Sequence, residues 1–209
     1  MDTFAGGEPV SDIGEFLRGP LPLHHARVPF AIAWTPKAGC TSLTKWFLFH
    51  SGELAQALDH HRWVHRYRIE VFQGRPGYAD EWFEIVEGRT RPIFKLVRNP
   101  YDRAASAYLH TLRALSKIRG DREPGLARAA RQMLARSGSS TRASFRQFIT
   151  ALSESKRQSR AINPHLDPQY RTGEDVLITR ILKLESFEAE TRTLEAQYGL
   201  TAAPLDIIV

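Results

Sequence analysis

Lys37, Gly39, Cys40, Thr41 and Ser42 lie together where an apolar run, Phe30-Ala31-Ile32-Ala33-Trp34, gives way to a second apolar segment from Leu43. Small residues at Ala38 and Gly39 let backbone N–H groups approach an anion. The hydroxyls of Thr41 and Ser42 add donors, and Lys37 adds a full positive charge. A helix opening behind such a turn contributes free N–H groups and the positive end of its dipole. The chemistry proposed is the holding of an anionic nucleotide over Lys37, Ala38, Gly39, Cys40, Thr41 and Ser42. The usual triphosphatase loop places its lysine after the second glycine. Here Lys37 precedes Gly39, and no glycine lies four or five residues upstream of Gly39, which weakens an ATPase or kinase reading and leaves a P-loop-like kinase using ATP and Mg²⁺ as the alternative.

A second constellation follows the apolar run Pro92–Val97. Arg98 stands at the end of that run, and Arg103 and Ser106 follow at helical spacing. An arginine fork and a hydroxyl converging on one point suit a terminal phosphate. Between the two constellations lie His60, His61, His65 and Glu70, and His165 comes later; these are the candidate proton acceptors. His61 and His65, four apart, share a face whether the segment is a helix or a strand. For any one of them the alternative is an ordinary surface histidine.

The elements that must position these groups alternate between strand and helix. Strands are expected at Phe30–Trp34, Pro92–Val97 and within Asp175–Leu184. Helices are expected at Thr41–His50, Glu53–Leu58, Ala79–Val86, Tyr101–Ile118, Leu126–Arg136, Ser144–Leu152 and Phe187–Tyr198. His60–Ile69 reads equally as strand or helix, and Asn163–Tyr170 reads as a loop. Residues 1–29, rich in Gly and Pro, read as an irregular lead-in, with a single domain over 30–209. The alternation predicts an α/β fold: a P-loop-like three-layer arrangement with a central parallel sheet flanked by helices, ligands lying at the carboxyl ends of its strands.

Composition bounds the rest. The chain has 209 residues, 42% hydrophobic and 25% charged, with net charge +6. No apolar run approaches the roughly 18 residues that cross a bilayer, and the first residues carry no basic, apolar leader, so a cytoplasmic location is expected. One cysteine, Cys40, excludes an internal disulfide and a multi-cysteine metal site. From Arg113 to Arg160 ten arginines and two lysines face three carboxylates, a larger excess than the whole chain carries. Such a segment attracts anions or is simply a solvated face. A nucleic-acid-binding module would account for it but not for the paired phosphate constellations.

Read together, the two constellations resemble the sulfotransferase family. Lys37–Ser42 is similar to its 5′-phosphosulfate loop. Arg98, Pro100, Arg103, Ser106 and Tyr108 match its 3′-phosphate motif Arg-x-Pro-x-x-Arg-x-x-Ser-x-Tyr without a gap. Asn163–Gln169 resembles the His-x-x-Pro-Gln loop of the carbohydrate (type 2) sulfotransferases, and Ile181-Leu182-Lys183-Leu184-Glu185 the strand that follows it. The membrane anchor and paired cysteines of the Golgi enzymes are missing, which points to a soluble, bacterial-type relative.

The resemblance implies a donor, 3′-phosphoadenosine 5′-phosphosulfate (PAPS), held by Lys37–Ser42 at its phosphosulfate and by Arg98 and Ser106 at its 3′-phosphate. It implies metal-free, in-line transfer of the sulfuryl group to a hydroxyl of a carbohydrate or glycolipid acceptor, possibly anionic, with Lys37 stabilising the departing phosphate. Some carbohydrate sulfotransferases place a catalytic histidine between the two motifs, where His61 and His65 lie; on that resemblance His61 is preferred as the base, then His65. Trp34, Trp46, Phe47, Phe94 and Tyr108 read as core before any base-stacking platform; the alternative places Tyr101 and Tyr108 on the adenine side. The position of Tyr170 and Arg171 after the His165 loop suits closing over the donor, and Cys40 reads as a small loop-forming residue rather than a nucleophile. No nucleic-acid partner is implied, and contact with a membrane surface is compatible with the charge.

Overall fold

A computed structural model describes residues 16–17, 19–117, 125–157 and 163–208. Four strands form one sheet in the order β1 (Leu23–His25), β2 (Val28–Trp34), β3 (Ile93–Val97) and β4 (Ile178–Lys183). β2, β3 and β4 are parallel, and β1 is antiparallel to β2. β1 lies inside the stretch expected to be irregular. Three residues joined to β2 by a two-residue turn are too short to show periodicity, and the surrounding prolines mask them.

Alternation along β2 sorts its residues between two faces. Phe30, Ile32 and Trp34 pack into one apolar cluster, against Trp46 and Phe47 of α1 (Cys40–Ser51) and Phe187 and Leu194 of α9 (Phe187–Gln197). Ala31 and Ala33 face the other way, onto Trp82, Ile85 and Val86 of α4 (Tyr78–Gly88). The result is the expected three-layer α/β arrangement with a mostly parallel sheet. Burial of side chains this large stabilises by about 1.5–3 kcal/mol each. A third cluster joins α5 (Pro100–Leu115), α6 (Gly125–Arg136) and α7 (Phe145–Arg157) around Leu126, Met133 and Phe148.

Register decides where the site lies. Trp34 pairs with Leu96, and Val97 with Lys183. The strands therefore end together, and the segments that follow β2, β3 and β4 emerge side by side. Asn99 caps α5 by accepting from the N–H groups of Tyr101 and Asp102, and Pro100 sits at the start of the helix, where no N–H is needed.

The ambiguous segment is neither one strand nor one helix. α2 (Leu54–His60) ends, His61 is extended, α3 (Val64–Tyr67) begins, and a π-helical turn (Arg68–Phe72) follows. His61 Nδ1 accepts the Trp63 N–H at 2.9 Å, which turns the chain at that point. The expectation that His61 and His65 share a face therefore does not hold: they lie on either side of a break. A short helix, α8 (Glu174–Leu177), precedes β4, and α10 (Leu205–Ile208) closes the chain. Ile118, the expected end of α5, lies outside the described residues.

Candidate functional site

The loop after β2 is built on two left-handed residues, Lys37 at φ 71° and Gly39 at φ 75°. A Cβ on Gly39 would lie 2.3 Å from a Leu184 methyl carbon, so only glycine fits. The Ala38 N–H donates to the Thr35 carbonyl at 3.3 Å, and Cys40 opens α1. Thr41 is exposed and Ser42 half-buried at the first turn. Lys37 is half-buried; burial lowers its pKa, and Arg113, Arg98 and Arg103 lower it further. So many cations around one lysine describe a receptor for a polyanion.

The motif after β3 is tied directly to this loop. Arg103 is buried, and its Nε donates to the Pro36 carbonyl at 3.1 Å; Arg98 Nη1 donates to the Lys37 carbonyl at 3.4 Å. Arg103 Nη2 is buried and meets no hydrogen-bond acceptor among the described residues. Ser106 lies half-buried on α5, three residues on from Arg103. Gln169 of the His165 loop pairs with the backbone of Arg98 on both sides, at 2.8 and 2.7 Å. Glu185 accepts the Asn99 N–H at 2.6 Å, from just beyond β4. The buried Lys95 of β3 donates to the Glu174 carboxylate and to the Gln169 carbonyl. Three strand ends are thus joined through named contacts.

The candidate bases separate. His65 is only 6% exposed; its Nε2 lies 3.1 Å from Thr41 Oγ1 and 3.6 Å from Cys40 Sγ. Its pKa is lowered to about 4, by burial first and then by Arg68 and His165. It is therefore neutral at pH 7. His165 lies close enough to feel Lys37 and Arg103, its Nδ1 is 2.9 Å from Asn163 Oδ1, and its ring stacks on His110 at 4.9 Å. His60 and Glu70 pair with each other at 3.1 Å on the surface, where Arg66 also holds Glu70 at 2.9 Å. His61 is half-exposed and engaged by Trp63, with no contact to the loop. The structure brings Lys37, Ala38, Gly39, Cys40, Thr41, Ser42, Arg98, Arg103, His65 and His165 together and leaves His61 and Glu70 outside.

Burial raises the Cys40 thiol pKa, which keeps it protonated and suits a loop-forming role. Tyr108 Oη donates to the Ala143 carbonyl at 2.9 Å, anchoring α7 rather than facing a ligand, whereas Tyr101 is 81% exposed at the start of α5. Tyr170 Oη donates to Asp175 at 2.7 Å. Three contributors were not visible in sequence: Arg68, His110 and the aromatic face of Trp34. Arg68 stands three residues after His65, a helical-neighbour spacing that the ambiguous segment concealed.

Exposed arginines Arg113, Arg128, Arg131, Arg136, Arg142 and Arg146 ring the α5–α7 cluster, while parts of the basic stretch, 118–124 and 158–162, lie outside the described residues. Among the described residues no group of His, Cys, Asp and Glu is arranged to hold a metal, and no helix is long and apolar enough to cross a membrane. A family model described as Sulfotransferase family matches residues 28–204. No curated protein and no solved structure matches the chain.

Proposed function

This chain belongs to the sulfotransferase family, and from that premise we propose that it transfers a sulfuryl group from PAPS to a hydroxyl of a carbohydrate or glycolipid acceptor, without a metal. The observation that carries this reading is the joining of two phosphate motifs at one sheet end: Arg98 and Arg103 both bond to carbonyls of the Lys37 loop. The unpartnered Arg103 Nη2 and the glycine-only position at residue 39 fit a bulky anion held against backbone N–H groups.

In this reading Lys37, the N–H groups at Gly39–Thr41 and the hydroxyls of Thr41 and Ser42 hold the phosphosulfate. Arg98 and Ser106 hold the 3′-phosphate. The donor supplies an electrophilic sulfur joined to a phosphate leaving group. His65 takes the acceptor proton as the acceptor oxygen bonds to sulfur and the sulfur–oxygen bond to phosphate breaks. Lys37 meets the charge that develops on that phosphate oxygen. His65 replaces His61 as first choice because it stands beside Thr41, within the loop's own hydrogen-bond reach.

Thermal unfolding with adenosine 3′,5′-bisphosphate, with ATP and Mg²⁺, and with an oligonucleotide tests the reading. Ligand at about 100 times its dissociation constant raises stability by about 2.7 kcal/mol. The bisphosphate is expected to do so; stabilisation by ATP–Mg²⁺ alone would sink the proposal.

A further inference from the structure

Arg68 opens the π-helical turn and is only 7% exposed. Its guanidinium lies over the Trp34 ring, 4.2 Å from the centroid. Nε and Nη1 are buried and meet no hydrogen-bond acceptor among the described residues. Lys95 of β3, also deeply buried, has both a carboxylate and a carbonyl. A buried cation without an anionic partner is destabilising by several kcal/mol. Such an arrangement persists where a ligand supplies the anion, and π-helical turns recur at functional sites.

The surroundings of Arg68 say which anion. Trp34 is the last residue of β2 and leads into the Lys37 loop. The Trp34 ring stacks in turn on His65, centroids 6.3 Å apart, and His65 Nε2 lies 3.6 Å from Cys40 Sγ and 3.1 Å from Thr41 Oγ1. Arg68 therefore packs on the residue that leads into the loop, one ring away from the histidine that meets Cys40 and Thr41. Arg68 and His65 share the Trp34 ring, which sets Arg68 on the side assigned to the acceptor proton. Arg98 and Arg103 reach the loop from β3 and α5, at the Lys37 and Pro36 carbonyls.

The geometry points to Arg68 as the residue that receives the sulfonate end of the donor, a second cation beside Lys37 and distinct from the arginines of the 3′-phosphate motif. This rests on the sulfuryl-transfer reading above. A guanidinium edge offers two parallel N–H donors, which match two sulfonate oxygens. Trp34 fixes the plane of the fork by stacking beneath it.

Thermal unfolding and binding titrations on the whole chain test the assignment, comparing wild type, Arg68→Met and Arg68→Lys with PAPS and with adenosine 3′,5′-bisphosphate. Arg68→Met removes an unpaired buried charge while keeping volume, so the ligand-free variant is expected to melt higher than wild type. Its affinity for PAPS is expected to fall about tenfold or more, with bisphosphate affinity changed much less. Arg68→Lys keeps the charge but not the fork and is expected to fall between. Wild-type binding of both nucleotides together with unchanged PAPS affinity in Arg68→Met overturns the assignment alone. A variant that melts lower and loses both nucleotides equally also overturns it, marking Arg68 as structural. Wild-type protein that binds neither nucleotide overturns the transfer reading, and this assignment with it.

Discussion

Gln169 pairs both ends of its side-chain amide with the backbone of Arg98: Oε1 accepts the N–H at 2.8 Å, and Nε2 donates to the carbonyl at 2.7 Å. Arg98 is the first residue past β3, where ladder pairing with β4 stops. The glutamine supplies the hydrogen bonds that a neighbouring strand would otherwise make. It thereby locks the loop carrying His165 to the residue assigned to the 3′-phosphate. Gln169→Ala leaves two backbone groups of Arg98 without partners, a loss of about 1–3 kcal/mol. Chemical denaturation is expected to show that loss, and bisphosphate titration a weaker complex. Unchanged bisphosphate affinity would mean that Arg98 needs no such clamp.

Gly39→Ala meets two penalties at once, a left-handed backbone and a Leu184 methyl carbon 2.3 Å from the new Cβ. Backbone strain of this type amounts to about 1–3 kcal/mol. Bisphosphate binding is expected to be lost in an isothermal titration while the far-ultraviolet spectrum stays native. Leu184→Ala in the same chain removes the clash but not the strain, so it is expected to restore binding only in part.

His65→Ala is expected to lower turnover by about 10²–10⁴, the range of a positioned general base, with bisphosphate affinity nearly intact. His61→Ala is expected to keep full turnover; the reverse pattern refutes the assignment of the base. The low His65 pKa, about 4, means that the neutral form dominates at pH 7 and that turnover declines as pH falls toward that value. Two groups besides burial hold that pKa down: Arg68, a cation throughout, and His165, which is charged only below about pH 4. Arg68→Met removes one of them, so the acid limb of its residual turnover is expected to move to higher pH.

Stability should also decline in acid. His24 and His65 are buried, and each has its pKa lowered from 6.5 to about 4, burial being the main cause. The unfolded chain binds their protons from about pH 6.5 downward, whereas the folded chain does not until about pH 4. Their contribution is therefore complete above pH 6.5 and is lost as pH falls from 6.5 to 4. His24 lies under Tyr78, Nε2 being 3.1 Å from the Tyr78 carbonyl. His24→Gln keeps a donor there but does not titrate. Denaturation midpoints between pH 4 and 7 are expected to slope less steeply in that variant; an identical slope would place the acid sensitivity elsewhere.

Lys95 and Glu174 form the one buried lysine–carboxylate pair among the described residues, 2% and 5% exposed. Lys95→Met alone strands a carboxylate and is expected to destabilise by about 3–5 kcal/mol. Adding Glu174→Leu removes the stranded charge and is expected to recover most of that loss in urea denaturation. No recovery would show that the Gln169 carbonyl, which Lys95 also holds, is the contact that matters.

Much of this was legible in the residue order. The Lys37–Ser42 turn, the Arg98–Tyr108 match and the strand–helix alternation are local patterns, because a phosphate loop and its following helix are specified by contiguous small, hydroxylated and apolar residues. Gly39 had to be glycine for a reason only partly local: its φ is set by the turn, but the obstruction comes from Leu184, far along the chain. The separation of His61 from His65 was not legible, since each side of that segment satisfies both periodicities and the Trp63 N–H contact selects a break. Arg68 was least legible of all. Its sequence neighbours give no sign that its fork is buried without a partner, because burial and pairing are properties of what other segments bring near. Residue order determined the family; tertiary packing alone decided which histidine meets the loop and that the Arg68 guanidinium is buried against Trp34.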